Sequence, residues 1–400
     1  MNADMTALET AYSHSNRRKL AISAAFLIAA ACLSFASIFI TQLDRLTSDV
    51  VLEVLSAHWH GFTTDDRIAE LVIWDYGVPR AVMGLVCGAG LAVGGAVMQS
   101  LMRNPLADPY TTGVSSGASF GAALMIVLGI SVIPTGGDYD LSVTANAILL
   151  SMVPTIAIVL IAKHRRITPT TMILAGIAIM YVFKATTSLM TTLSDPENVE
   201  SLYIWNIGSL GPSSWDNVWI VVAVTAASLA VLQLLSRSIG LMTTGDRGAS
   251  SLGVEVRRVR ALSLFVVAAM TATMVGFTGT IGFMGLVAPH IARIFVGSNV
   301  RYLLPCSAAV GALVLVGADC VAKMLVGIPV GVITSIIGGP IFILLLIKGA
   351  RKVWFRWRER TGRPHRREWG PEPPFHQRSS SDPSTSPMSR SPAREMIWSS

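Results

Sequence analysis

The sequence predicts an all-α, polytopic membrane protein of about ten transmembrane helices with both termini in the cytoplasm. Of its 400 residues, 52% are hydrophobic and only 14% are charged, and the mean hydropathy is +0.57, outside the usual range of soluble chains. The uncharged runs are long enough for a helix to cross about 30 Å of hydrocarbon. They lack the ten-residue alternation of a transmembrane β-barrel.

Hydropathy places the crossings, in chain order, at 20–40, 81–102, 114–133, 144–162, 171–193, 217–235, 260–278, 280–297, 303–320 and 326–347. One division needs an argument, because 261–289 contains no charge and is too long for a single helix. Glycines at 276, 279, 282 and 285 allow the backbone to turn inside this stretch. We therefore expect two helices there.

The charge distribution predicts the orientation and the domains. The net charge is +7. The Lys and Arg residues lie between the apolar runs and at the C-terminus, which indicates membrane topology and not nucleic-acid binding. With the N-terminus inside, most Lys and Arg fall in inner loops and most Asp and Glu in outer loops. The predicted units are a cytoplasmic segment, 1–19, a transmembrane domain, 20–349, and a basic, Pro- and Ser-rich disordered cytoplasmic tail, 350–400.

Glycines recur at spacings of four in the second and third predicted helices, which places them on one helical face. Such faces allow close helix contact in membranes, and packing alone is a sufficient reason for them. The residues are Gly84, Gly88, Gly90, Gly94, Gly117 and Gly121.

Between those two helices lies Arg103-Asn-Pro-Leu-Ala-Asp-Pro109, where two prolines favour an ordered, non-helical turn. This turn belongs to a collinear series of motifs across residues 70–350 that resembles the FecCD/BtuC-type permeases, which import iron(III)-siderophores, haem and vitamin B12. The series also includes Val78-Pro-Arg80, Gly113-Val-Ser-Ser-Gly117, Ile281-Gly-Phe-Met-Gly-Leu-Val-Ala-Pro-His290 and Pro329-Val-Gly-Val-Ile-Thr334.

The resemblance implies the permease subunit of an ABC importer in the cell membrane. Its expected partners are a second permease copy or close paralogue, two cytoplasmic ABC ATPase subunits and an extracytoplasmic substrate-binding protein. The chain has no GxxxxGK[ST] motif, so ATP hydrolysis is expected on a partner and the chain itself is not an enzyme. We expect no cofactor and no metal site, because the metal enters as a chelate.

The predicted inner loop Ser236–Arg260 resembles the family's ATPase-coupling element. Its matching residues are Gly245, Asp246, Arg247, Leu252, Gly253 and Val254. The resemblance implies a pair of short helices that transmits the ATPase's motion to the membrane helices. The alternative is a solvated basic loop that only sets topology.

Arg80 and Lys323 are the expected docking cations for the binding protein on the outer face. The sequence departs from the family pattern at Gly77, where an arginine is common, and at Lys323, where lysine keeps the charge without the bidentate guanidinium. The alternative for both is a side chain that extends to the membrane interface without a partner protein.

Lys184 interrupts the fifth predicted helix near its middle, where an ammonium costs about 2.5–3.5 kcal/mol on insertion scales. One hypothesis is that it faces a water-filled pathway and attracts an anionic chelate. The alternatives are an internal partner or snorkelling. His290 is predicted to be a hydrogen-bonded group and not a metal ligand.

A secondary transporter driven by an ion gradient is the competing function. Such proteins usually place acidic or paired ionisable residues within the membrane, whereas the helix of Lys184 contains no carboxylate.

Overall fold

The computed structural model describes residues 2–41, 46–64, 66–164, 168–325 and 327–361, and within them it contains helices and no strand. A π-helical segment spans Leu71–Gly77, and a 3-10 turn spans Pro109–Thr112. The α-helices are α1 (Asn2–Ile38), α2 (Ser48–Trp59), α3 (Arg67–Glu70), α4 (Val78–Met102), α5 (Val114–Leu128), α6 (Tyr139–His164), α7 (Pro169–Thr192), α8 (Pro196–Ile207), α9 (Trp215–Met242), α10 (Asp246–Ser251), α11 (Val256–Thr278), α12 (Met284–Val296), α13 (Val300–Met324) and α14 (Val330–Thr361).

Among the described residues, seven helical segments are long and apolar enough to cross a membrane: Ser15–Ile38, Arg67–Met102, Tyr139–Ile161, Pro169–Thr192, Trp215–Met242, Val256–Thr278 and Val300–Met324. Three shorter apolar helices are Val114–Leu128, Met284–Val296 and Val330–Leu344. Every predicted crossing coincides with one of these segments. The polytopic all-α class is therefore confirmed, while ten crossings and cytoplasmic termini stay predictions.

The division inside 261–289 is confirmed. Helix α11 ends at Thr278 and α12 begins at Met284. Gly279, at φ +67°, and Phe283, at φ +66°, turn the chain between them in the left-handed region.

Two short helices, α2 and α8, were not predicted. Each has 12 residues, too few to span the hydrocarbon, so hydropathy does not detect them. The helical segment that contains α4 begins at Arg67, whereas the predicted crossing began at residue 81. The prediction started too late because Glu70 and Asp75 lower the hydropathy of the first part of this segment.

The core is centred on α4, which packs against α13 and α12. Gly88 lies directly against the backbone of Gly311 in α13, so that no Cβ fits between the two helices. Gly117 and Gly121 of α5 face the backbone of α6 in the same way, whereas Gly84, Gly90 and Gly94 contact side chains.

The chain divides into two units, Met1–Gly349 and Ala350–Ser400. Residues 350–361 are helical, and the predicted disorder of the tail stays a prediction. Residues 362–400 of the predicted tail lie outside the described residues. The predicted segment 1–19 is helical from Asn2.

Candidate functional site

Arg80, Asp319 and Lys323 meet in one group, here called the Asp319 cluster. Arg80 lies in the first turn of α4, and its Nε and Nη2 donate hydrogen bonds to Asp319 Oδ1 at 3.0 and 2.8 Å. Lys323 lies one helical turn after Asp319 on α13, with Nζ 3.7 Å from Asp319 Oδ2. Lys323 Nζ also donates to the Ser37 carbonyl oxygen at 2.8 Å, at the C-terminal end of α1, where a cation is favourable.

The Asp319 cluster carries two cations and one carboxylate, and its members differ in exposure. The side chains of Asp319 and Lys323 are 3% and 8% exposed, whereas that of Arg80 is 25% exposed. A cavity of about 440 Å³ beside it is lined by both cations and by Tyr76, Ser209 and Pro329, among others. The two predicted docking cations are therefore adjacent, and Arg80 is the more accessible. Asp319 was not assigned a role, although its spacing of four from Lys323 was a usable signal.

The predicted coupling residues occupy a short segment, 243–255, between α9 and α11. It contains one short helix, α10, and not the pair that the resemblance implied, because α9 continues to Met242 and α11 already begins at Val256. Gly245 and Gly253 adopt φ +107° and +83° at the two ends of α10. Arg247, Leu252 and Gly253 are exposed, and Val254 is half-buried.

Asp246, the first residue of α10, anchors this segment to α11. Its Oδ1 and Oδ2 accept hydrogen bonds from Arg260 Nη2 and Nη1 at 2.7 and 3.1 Å. These hydrogen bonds, with the charges of Arg260 and Arg103, hold the pKa of Asp246 below its usual range. Arg260 is itself buried, and its Nε has no hydrogen-bond partner in the described part of the chain. Asp246 therefore supplies the charge that offsets a buried cation.

The turn after α4 brings a second element to the coupling segment. Arg103 caps the C-terminal end of α4 in the left-handed conformation at φ +49°. Its guanidinium approaches Gly245, since a Cβ added to Gly245 would lie 3.3 Å from Arg103 Nη1. The following turn therefore lies next to α10, a contact that no motif or hydropathy pattern indicates.

Asp108 in that turn is buried, and its Oδ1 accepts the Tyr110 N–H at 2.8 Å. Burial raises the pKa of Asp108 to about 6. Tyr110 in turn donates its hydroxyl proton to the Ile281 carbonyl oxygen at 3.2 Å. These contacts hold the turn against the start of α12.

Gln99 near the end of α4 joins the same region to α12. Its Nε2 donates to the Gly285 carbonyl oxygen at 3.2 Å, and its Oε1 accepts from Arg293 Nη2 at 3.0 Å. His290 Nδ1 lies 2.9 Å from the Leu286 carbonyl oxygen, which confirms a hydrogen-bonded histidine. The described residues contain no group of three His, Cys, Asp or Glu side chains suited to hold a metal ion.

Lys184 lies in a second concavity, here called the α7 concavity, with a volume of about 540 Å³. Residues of α5, α7 and α8 form most of its wall, and Thr280 contributes from the turn before α12. The lining residues are Ser115, Ser116, Ser119, Lys184, Thr187, Ser188, Thr191, Val199, Leu202, Tyr203, Asn206 and Thr280. Sequence reasoning identified Lys184 alone, because the other side chains come together only through the packing of three helices.

Comparison with known proteins gives consistent matches. A model of the FecCD transport family matches residues 26–348. The Fe(3+)-citrate import system permease protein YfmE of Bacillus subtilis is 34% identical over 292 residues, 72% of this chain and 85% of that protein. The hemin transport system permease protein HmuU of Yersinia pestis is 35% identical over 294 residues, 72% of this chain and 86% of that protein. A solved metal-chelate type ABC transporter, inward-facing, is 28% identical with TM-score 0.70, covering 82% of this chain and 99% of that chain.

Proposed function

The chain belongs to the FecCD transport family of ABC importer permeases, and we propose that two copies of it enclose the pathway for a metal chelate. An extracytoplasmic binding protein delivers the chelate, and separate cytoplasmic ATPase subunits drive its passage. The similarity to permeases named for Fe(3+)-citrate and hemin supports an iron chelate as cargo.

The anchoring of α10 to α11 is the observation that carries this proposal. The exposed face of segment 243–255 presents Arg247 and Leu252, which suits contact with a partner. Its opposite side is fixed by the bond between Asp246 and the buried Arg260. A force applied to α10 by an ATPase is therefore transmitted to α11 through short, charge-assisted hydrogen bonds and not through a flexible loop.

At the other end of α4, the Asp319 cluster supports a docking role for Arg80. Arg80 is the most exposed of the three side chains, and it borders a cavity that would admit a carboxylate from a partner. Lys323 is nearly buried and donates to the Ser37 carbonyl oxygen, so it helps to hold Asp319, the partner of Arg80, in place.

The experiment is uptake into proteoliposomes that contain the permease and its ATPase, with the binding protein supplied outside and loaded with an iron chelate. We expect uptake that requires ATP and the binding protein and persists when ionophores collapse ion gradients. A Walker lysine variant of the ATPase is the matched control. Uptake that continues without ATP and stops with an ionophore would establish a secondary transporter instead.

A further inference from the structure

The position of Lys184 separates it from the packed core. In the segment that contains it, Pro169–Thr192, 11% of an apolar 18-residue window is buried, compared with 78% of such a window in Arg67–Met102. Lys184 is itself exposed and opens into the α7 concavity, where polar side chains surround it. A mid-helix ammonium is therefore accommodated by an open, polar wall and not by burial against a carboxylate.

The composition of that wall is unusual for a surface at membrane depth. Nine of its twelve described residues are uncharged and polar, two are apolar, Lys184 is the cation, and no Asp or Glu is among them. Thr187, on the same helix, has a buried hydroxyl oxygen without a hydrogen-bond partner in the described part of the chain. Hydroxyl and amide donors together with a single cation favour an anionic ligand and disfavour a cationic one.

We propose that the α7 concavity binds the cargo during its passage and selects chelates with a net negative charge whose carboxylate oxygens accept hydrogen bonds from Lys184 and neighbouring hydroxyls. This rests on the proposed function, because it concerns the pathway of that transporter. The volume of about 540 Å³ lies within the range of small-molecule sites. Lys184 supplies the charge preference, and the hydroxyls provide contacts that are tolerant of shape.

The first test measures the charge preference without cargo. Ser188 lies four residues after Lys184 on the same face of α7, so Ser188→Cys reports the local potential. Cys32, the exposed native cysteine among the four, is replaced by serine. We expect a sulfonate-bearing methanethiosulfonate to react faster than its quaternary-ammonium analogue, and Lys184→Met to reduce that rate ratio roughly tenfold.

The second test measures transport in the reconstituted complex with a ferric citrate chelate. We expect Lys184→Met to slow uptake roughly tenfold, because it removes one charge-assisted contact with the chelate. Lys184→Arg should preserve uptake, because it keeps the positive charge. Thr186→Val, on the same helix outside the concavity, is the matched control. An unchanged labelling ratio, or normal ferric citrate uptake by Lys184→Met, overturns the proposal. If the wild-type complex takes up no chelate with ATP, the proposed function fails while the labelling result still decides the electrostatics.

Discussion

Arg80 and Asp319, which are 239 positions apart in the sequence, form a bidentate ion pair whose shortest contact is 2.8 Å. Lys323 shares the same carboxylate and bonds the end of α1. Asp319 and Lys323 of α13 thus join their helix to α4 and α1.

Asp319→Asn should lower the stability of the protein, because it removes the buried carboxylate charge that Arg80 and the nearly buried Lys323 share. Breaking a buried pair typically costs about 3–5 kcal/mol, and we expect the midpoint of thermal unfolding in detergent to fall by several degrees. Asp140→Asn, at an exposed position on α6, is the control and should have little effect. Equal midpoints for the two variants would contradict a structural role for the Asp319 cluster.

Arg80→Gln should weaken the binding protein's affinity by roughly tenfold or more, since a charge-assisted contact is worth about 1.5–3 kcal/mol. Surface plasmon resonance with the permease in nanodiscs would measure it. Arg67→Gln removes an exposed cation near the start of the same helical segment and should change the affinity little. Wild-type affinity for Arg80→Gln would refute the docking role.

Asp246→Asn should uncouple ATP hydrolysis from transport, because it weakens the contact between α10 and the buried Arg260. We expect ATPase activity in the complex to be retained while chelate uptake per ATP falls roughly tenfold. Glu255→Gln is the control in the same segment, because its ion pair with Arg258 is exposed and contributes little. Normal coupling in Asp246→Asn would show that α10 transmits motion by another contact.

Asp108 should make stability fall as pH rises. Its pKa is raised from 3.8 to about 6, so the neutral form is favoured by folding. The contribution is fully present below pH 4 and is lost as pH rises through 6, with a size on the order of 3 kcal/mol. Unfolding midpoints measured from pH 4.5 to 7.5 should therefore fall for wild type relative to Asp108→Asn. Parallel curves for the two proteins would contradict a raised pKa.

Gly88→Ala should destabilise the contact between α4 and α13, because the added Cβ meets the backbone of Gly311. We expect aggregation on size-exclusion chromatography or a clearly lower unfolding midpoint, since overpacking typically costs about 1–3 kcal/mol. Gly339→Ala is the matched control, because a Cβ at that helical position meets nothing within 4 Å. A wild-type midpoint for Gly88→Ala would indicate that the helices separate at little cost.

Local composition determined much of this protein by itself. Long uncharged runs fixed the positions of the membrane helices, since a helix in hydrocarbon must be apolar over its whole length. The glycines between residues 276 and 285 located the break between α11 and α12, because a left-handed turn favours glycine. Motif order indicated the family.

Only the tertiary structure decided which charges meet. Arg80 and Asp319 lie on helices distant in sequence, as do Gln99 and Arg293, and hydropathy contains no information on which helix faces which. The hydroxyl wall around Lys184 likewise forms only when α5, α7 and α8 pack together. A cation's role depends on the groups that surround it, and that environment is a property of helix packing and not of the local sequence.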